Sequence, residues 1–134
     1  MLTSNFDDHL RNHGFLHAGD GRWNLSPAYD MNPIPAHEHA GEMSTGISAE
    51  TGKTASVDAL LAGAGGFGLR QDEARSIIRD IAAVVSGWRV VARRVGITET
   101  ELAPYETAFE HTEMKSALRL SAKRPLRSVG PCMS

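Results

Sequence analysis

From Leu69 to Val95 the apolar side chains Ala74, Ile77, Ile78, Ile81, Val84, Val85, Trp88, Val91, Ala92 and Val95 recur at helical spacing. No other stretch commits the backbone so firmly, and it predicts a helix over 70–95. Asp72 and Glu73 fall in its first turn and Arg93 and Arg94 in its last, the arrangement that a helix dipole favours. Gly96 stands where a C-terminal stop is wanted. Gly87 is the weak point inside, costing about 1 kcal/mol relative to Ala. Two shorter helices flank this one. Ser56 is an N-cap for "VDALLAG", predicting a helix over 56–63 that "GAGG" ends. "TETE" reads as a capping box, Thr98 against Glu101, with Ile97 and Leu102 as the hydrophobic staple. It opens a third helix over 99–111, with room to continue toward Leu120.

The first half reads differently. Residues 13–26, "HGFLHAGDGRWNLS", form a hairpin: two short strand-like runs around a D-G turn signal. Residues 27–54 hold three of the six prolines and should be irregular. A chain of 134 residues, 41% apolar, makes one domain with one modest core. Its formal charge of -2 offers no general attraction to nucleic acid or to an anionic membrane. No apolar run is long enough to span a bilayer, and the N-terminus lacks the pattern of a secretory signal. The one cysteine, Cys132, allows no intrachain disulfide. The expectation is a cytoplasmic protein, with a domain over 1–120 and a disordered basic tail over 121–134.

The densest polar chemistry lies in "SNFDDHLRNHG", residues 4–14. Asp7 and Asn12 stand in the order D-x-x-x-x-N. Phosphoryl transfer needs a carboxylate to orient the attacking hydroxyl and a carboxamide five residues on to reach Mg²⁺. A second carboxylate must come from elsewhere, because Mg²⁺ takes oxygen ligands in octahedral geometry. Asp30 in "LSPAYD" is the candidate, since the hairpin over 13–26 returns the chain toward the loop over 4–12. Asp and Asn are also the commonest turn residues, so each alone would signify little.

Together, "DDHLRN", the hairpin and "LSPAYD" resemble the catalytic loop and metal-binding segment of HipA-like serine/threonine kinases, the toxins of type II toxin–antitoxin pairs. The stretch "FGLRQDEARSIIRDIAAVVSGWRVVARRVGI" is similar to the helices that follow in that family, so the resemblance covers roughly residues 3–110. It implies that Asp7 is the catalytic aspartate and that Asn12 and Asp30, in the segment over 27–33, are Mg²⁺ ligands. It implies that His9 holds the loop and that Arg11 can touch a phosphate, while Asp8 matches no fixed family position and is read as loop solvation. ATP would be the phosphate donor, a protein hydroxyl the acceptor, and a DNA-binding antitoxin protein the partner. The family carries an N-terminal lobe before this loop, with its phosphate-cradling loop and nucleotide-contacting lysine; here Met1 lies six residues before Asp7. The implied fold is therefore mainly α with a small β-hairpin, the C-terminal helical lobe of a protein-kinase-like α+β fold without its N-lobe. A truncated gene, a split gene or a mis-called start would each produce that. The alternative function is a non-catalytic interaction module, docking an antitoxin or a separately encoded N-lobe. A fragment of a small-molecule phosphotransferase shares the loop pattern and ranks below both.

Three other motifs carry less. "TGKT" at 51–54 gives G-x₅-G-K-T from Gly46, one residue too long for a phosphate loop and without a strand before it. In "HEHAGE", His37, His39 and Glu42 lack the spacing of a helical zinc motif. "AGAGGFG" at 62–68 is a helix terminator and connector. Trp88 is read as a core residue.

Overall fold

The computed structural model describes residues 1–35 and 42–121. The basic tail expected over 121–134, Cys132 included, falls outside them beyond Ser121, as do His37 and His39. The described part is mainly helical with one small antiparallel sheet.

Strands β1 (Phe15–His17) and β2 (Trp23–Leu25) pair Phe15 with Leu25, Leu16 with Asn24 and His17 with Trp23. The D-G signal acts as expected at their turn. Asp20 (φ 50°) and Gly21 (φ 71°) are both left-handed, and the Arg22 amide donates to the Gly19 carbonyl at 2.9 Å. Positive φ at both central residues matches the twist of a hairpin. Both faces of the hairpin stand in solvent. Trp23 is 63% exposed and meets only the edge of His17, at 5.1 Å between centroids, among the ring contacts described.

Helix α1 (Val57–Gly63) starts where Ser56 predicts, its hydroxyl accepting the Ala59 amide at 3.0 Å. Glu113, far along the chain, closes the same end by accepting the Val57 amide at 2.6 Å. A 3₁₀ turn over Ala64–Phe67 continues from α1 and ends at Gly68 (φ 70°), so the glycines bend the helix before they stop it. Helix α2 (Gln71–Val85) is closed at its start by Glu73, which accepts the Arg70 amide at 3.0 Å.

The single helix expected over 70–95 is two. It stops at Val85 and restarts as α3 (Trp88–Arg94), with Ser86 and Gly87 between them. Gly87 is the weak point that gives way. The third helix, expected over 99–111, is likewise broken. It runs as α4 (Glu99–Leu102), a 3₁₀ turn (Ala103–Tyr105) and α5 (Glu106–Phe109), and α6 (Thr112–Leu118) then starts afresh at His111. Pro104 explains the first break, because a proline has no amide for the helical ladder. The Thr98–Glu101 box does form: Glu101 accepts both the amide of Thr98 (2.8 Å) and its hydroxyl (2.7 Å).

The core lies where α1, α2 and α6 meet. Val57, Leu61 and Ala64 face Ala74, Ile78 and Ala82 of α2 and Met114 and Ala117 of α6. Alanines dominate, so the helices approach closely with small side chains between them. Met1 and Leu2 pack against one edge. This core covers less of α2 than its apolar stripe offers. Ile77, Ile81 and Val84 are exposed, Val84 at 79%, whereas Ala82 is fully buried. Beyond the core, Trp88 stacks on Phe109 at 4.4 Å, half-buried beneath the Arg89 guanidinium. No helix among the described residues is long and apolar enough to cross a membrane.

Candidate functional site

Residues 3–7 run as a thread between two other segments. On one side the Ile34 amide donates to the Thr3 carbonyl at 3.3 Å. On the other the Ser44 amide donates to the Phe6 carbonyl at 2.7 Å, and the Ser44 hydroxyl donates to Oδ1 of Asp7 at 2.9 Å. Asp7 is exposed, and its amide donates to the Asn5 side chain at 3.1 Å, an Asx turn that fixes the backbone where the carboxylate leaves it.

The polypeptide then makes a short 3₁₀ turn, Leu10–Asn12, closed by the Asn12 amide donating to the His9 carbonyl at 2.8 Å. The turn brings Asn12 back to the start of the loop, where its Nδ2 donates to the Asp7 carbonyl at 3.4 Å. With Nδ2 so directed, the carboxamide oxygen is the end left to meet a cation. His9 holds the loop through its backbone; its ring Nδ1 is buried with no hydrogen-bond partner among the described residues. The Arg11 side chain is exposed, and its carbonyl accepts the Tyr29 hydroxyl at 2.7 Å.

That last bond shows what the tyrosine of "LSPAYD" does. It fastens the segment carrying Asp30 to the far end of the loop. One residue on, the Asp30 carbonyl accepts Nδ2 of Asn5 at 3.0 Å, at the near end. Asp30 sits between these tethers in the left-handed region (φ 55°), which Asp tolerates better than most residues. Its Oδ1 accepts Nδ2 of Asn32 at 3.4 Å.

Asn12 and Asp30 line one cleft of about 320 Å³ with Asn5, Asp8, His13 and Tyr29. Asp7 stands outside that lining, bonded to Asn12 by its carbonyl. The structure thus brings Asn12 and Asp30 to one cleft and ties Asp7 to Asn12 beside it, while the Arg11 guanidinium is not part of the cleft wall. The donor set suits a hard cation: a carboxamide oxygen and a carboxylate, with Asp8 on the same wall. Among the described residues no group of three or more His, Cys, Asp or Glu side chains could hold a metal. A site completed by waters and phosphate oxygens needs no such cluster.

Sequence reasoning missed three contributors. Asn5 and Ser44 both hold Asp7, and Asp8 does more than solvate the loop, since it pairs with Nε2 of His13 at 3.0 Å. Asn5 could have been noticed, because an Asn two residues before a functional Asp is an Asx-turn signal. Nothing in the sequence points across 37 residues to Ser44.

Residues 1–88 match the model of the HipA-like C-terminal domain. The chain belongs to that family, which is a family of kinases. No curated protein and no solved structure matches it. The matched span of the HipA-like domain contains the whole loop, the hairpin, the Asp30 segment and helices α1 and α2. It stops at Trp88, so nearly all of α3 and the whole of α4 to α6 lie beyond it.

The "TGKT" motif of the HipA-like domain sits in a tight reversal, with the Ile47 amide donating to the Gly52 carbonyl (2.8 Å) and the Gly52 amide to the Ser48 carbonyl (2.9 Å). A phosphate loop follows directly from a strand, and none of the strands among the described residues leads into this reversal.

Proposed function

We propose that this chain carries the phosphoryl-transfer half-site of a HipA-like protein serine/threonine kinase. The observation that carries the reading is that Asn5 ties Asp7 to Asp30, the Asp7 carbonyl accepts Asn12, Tyr29 ties the Asp30 segment to the loop, and Asn12 and Asp30 line one cleft. Asp7, exposed and held by Ser44 on one oxygen, presents its other oxygen to the acceptor hydroxyl and takes or orients that proton. Asn12 and Asp30 would hold Mg²⁺, which when bound would neutralise charge on the phosphates of ATP. The chain's own work is positioning and charge placement. Family membership supports a protein hydroxyl as acceptor, a DNA-binding antitoxin as partner, and a toxin role when the antitoxin is absent.

The test is calorimetric titration with Mg-ATP. Wild type and Asp7→Ala should bind alike, and Asp30→Ala should lose most of the affinity. Equal binding in wild type and Asp30→Ala would sink the metal assignment.

A second reading has its own support in the exposed hairpin. Phe15, Leu16, Trp23 and Leu25 are all more than half exposed, and Leu25 reaches the cleft. Such a surface suits a docking module for an antitoxin or for an N-lobe encoded elsewhere. Phe15→Ser with Trp23→Ser should abolish co-purification with such a partner; an unchanged complex would rule the hairpin out.

A further inference from the structure

Asn5 uses both ends of one carboxamide, and the two bonds run in opposite directions. Its oxygen accepts the Asp7 amide at 3.1 Å, and its nitrogen donates to the Asp30 carbonyl at 3.0 Å. A carboxamide offers an acceptor and a donor about 2 Å apart on one rigid plane, at the reach of a short side chain. Asp would keep the first bond and lose the second. Ser could still close the turn but could not span to Asp30. Gln, one methylene longer, would not hold the two-residue turn.

The backbone around Asn5 fixes where that plane points. Ser4 is the one polar side chain buried among the described residues, at 4% exposure, and it adopts φ 50°. Its amide donates to the Met1 carbonyl at 3.0 Å. The Met1 ammonium in turn donates to the Asn5 carbonyl at 3.1 Å. Asn5 is thus held from behind while its side chain reaches forward to both functional segments.

We infer that Asn5 is a positioning residue: it sets the separation between the hydroxyl-orienting Asp7 and the cation ligand Asp30. This rests on the reading of Asp7 and Asp30 given above and adds the part that couples them. Neither aspartate is placed by the helical core. Asp7 belongs to the thread over 3–7 and Asp30 to the segment after the hairpin. Without the Asn5 carboxamide the Asp30 segment keeps the Ile34–Thr3 bond to the thread and the Tyr29–Arg11 bond to the 3₁₀ turn, which lie to either side of Asp30. Asp30 itself would be free to swing about its left-handed backbone.

The experiment compares wild type, Asn5→Ser and Asn5→Ala by amide hydrogen exchange and by titration with Mn²⁺ alone, read by electron paramagnetic resonance. The Ile78 amide in the α2 core serves as the folding reference. In Asn5→Ser the Asp7 amide should keep its protection, while the Ile34 amide, whose 3.3 Å bond to the Thr3 carbonyl opens more often once the neighbouring Asn5–Asp30 tie is gone, exchanges about fivefold to tenfold faster. Mn²⁺ affinity should fall by a similar factor. Asn5→Ala should speed Ile34 exchange to the same degree and also release the Asp7 amide, which loses its acceptor. If Asn5→Ser matches wild type in Ile34 exchange and in Mn²⁺ affinity, the positioning role is overturned. If Ile34 exchange responds but wild type itself binds no Mn²⁺, the clamp exists without a cation to serve, and the reading of Asp30 as a ligand falls with the inference.

Discussion

The two halves of this chain are held together by different forces. Residues 57–120 form capped helices around an alanine-rich apolar core, where α1, α2 and α6 bury one another's faces. Residues 1–35 and 42–54 contribute little more to that core than Met1 and Leu2 and are organised by individual hydrogen bonds between exposed polar groups. Burial is collective: remove one side chain and the neighbours still pack. Each polar bond is worth roughly 1 kcal/mol and can be lost alone. The half that carries the proposed site is therefore the half that single substitutions can re-aim without unfolding the domain.

That contrast breaks most visibly at Asp7. Asp7→Asn should lower phosphoryl transfer at least about 10²-fold, the usual worth of a positioned proton acceptor. The unfolding midpoint should stay where it was, because Asp7 is exposed. A large fall in the midpoint would show that the loop is structural after all. Ile78→Ala tests the other half. Ile78 is 8% exposed in the centre of the core, and its truncation should cost about 2–4 kcal/mol in chemical denaturation. A cost under about 1 kcal/mol would mean that the three-helix contact does not dominate stability.

What could be read from the sequence divides along the same line. Helix starts were legible wherever a short polar side chain caps its own neighbour, as at Ser56 and at Thr98 with Glu101. Their ends were less so. The apolar period runs straight through Ser86 and Gly87, and only the backbone's freedom there reveals two helices. The stripe also misjudged burial. Val84 belongs to it and stands in solvent, whereas Ala82, a side chain small enough to be passed over, is fully buried. A period records which face is apolar, not how much of that face a small domain can cover. In the polar half, the spacing of Asp7 and Asn12 and the hairpin before Asp30 were enough to bring those three together. Of the residues that fasten them, Asn5 left a local signal and Ser44 left none. A bond such as Ser44 to Asp7 depends on where a proline-rich segment returns, and no local pattern encodes that.

Smaller changes sharpen the comparison. Ser56→Ala removes the hydroxyl that accepts the Ala59 amide, and should cost about 1 kcal/mol of stability in denaturant titration. Glu113 still closes the Val57 amide, so the helix should persist. Loss of helical circular dichroism would contradict that.

His111 joins the halves through a titratable group. Its Nδ1 accepts the Met114 amide at 3.4 Å as the cap of α6, and its Nε2 donates to the Leu2 carbonyl at 3.3 Å. The cap requires the neutral ring, because a protonated Nδ1 has no lone pair to offer. Burial holds the His111 pKa below the ordinary 6.5, helped by the nearby Met1 ammonium and opposed by the Leu2 carbonyl and by Glu113. The unfolded chain then binds a proton that the folded chain refuses. Stability is full above pH 6.5 and is lost as pH falls from there toward the depressed value. The Met1 ammonium, depressed from 8.0 by burial against the attraction of Asp8, acts in the same direction at higher pH. His111→Asn keeps an oxygen to cap α6 and removes the titration. Melting curves from about pH 8 to about pH 5 should show a shallow decline in wild type; the His111→Asn protein should follow the same slope above about pH 6.5 and a flatter one below it. Equal slopes in the two proteins throughout would mean that His111 charges freely in the folded state. The thread carrying Asp7 would then lean on α6 more loosely than this geometry requires.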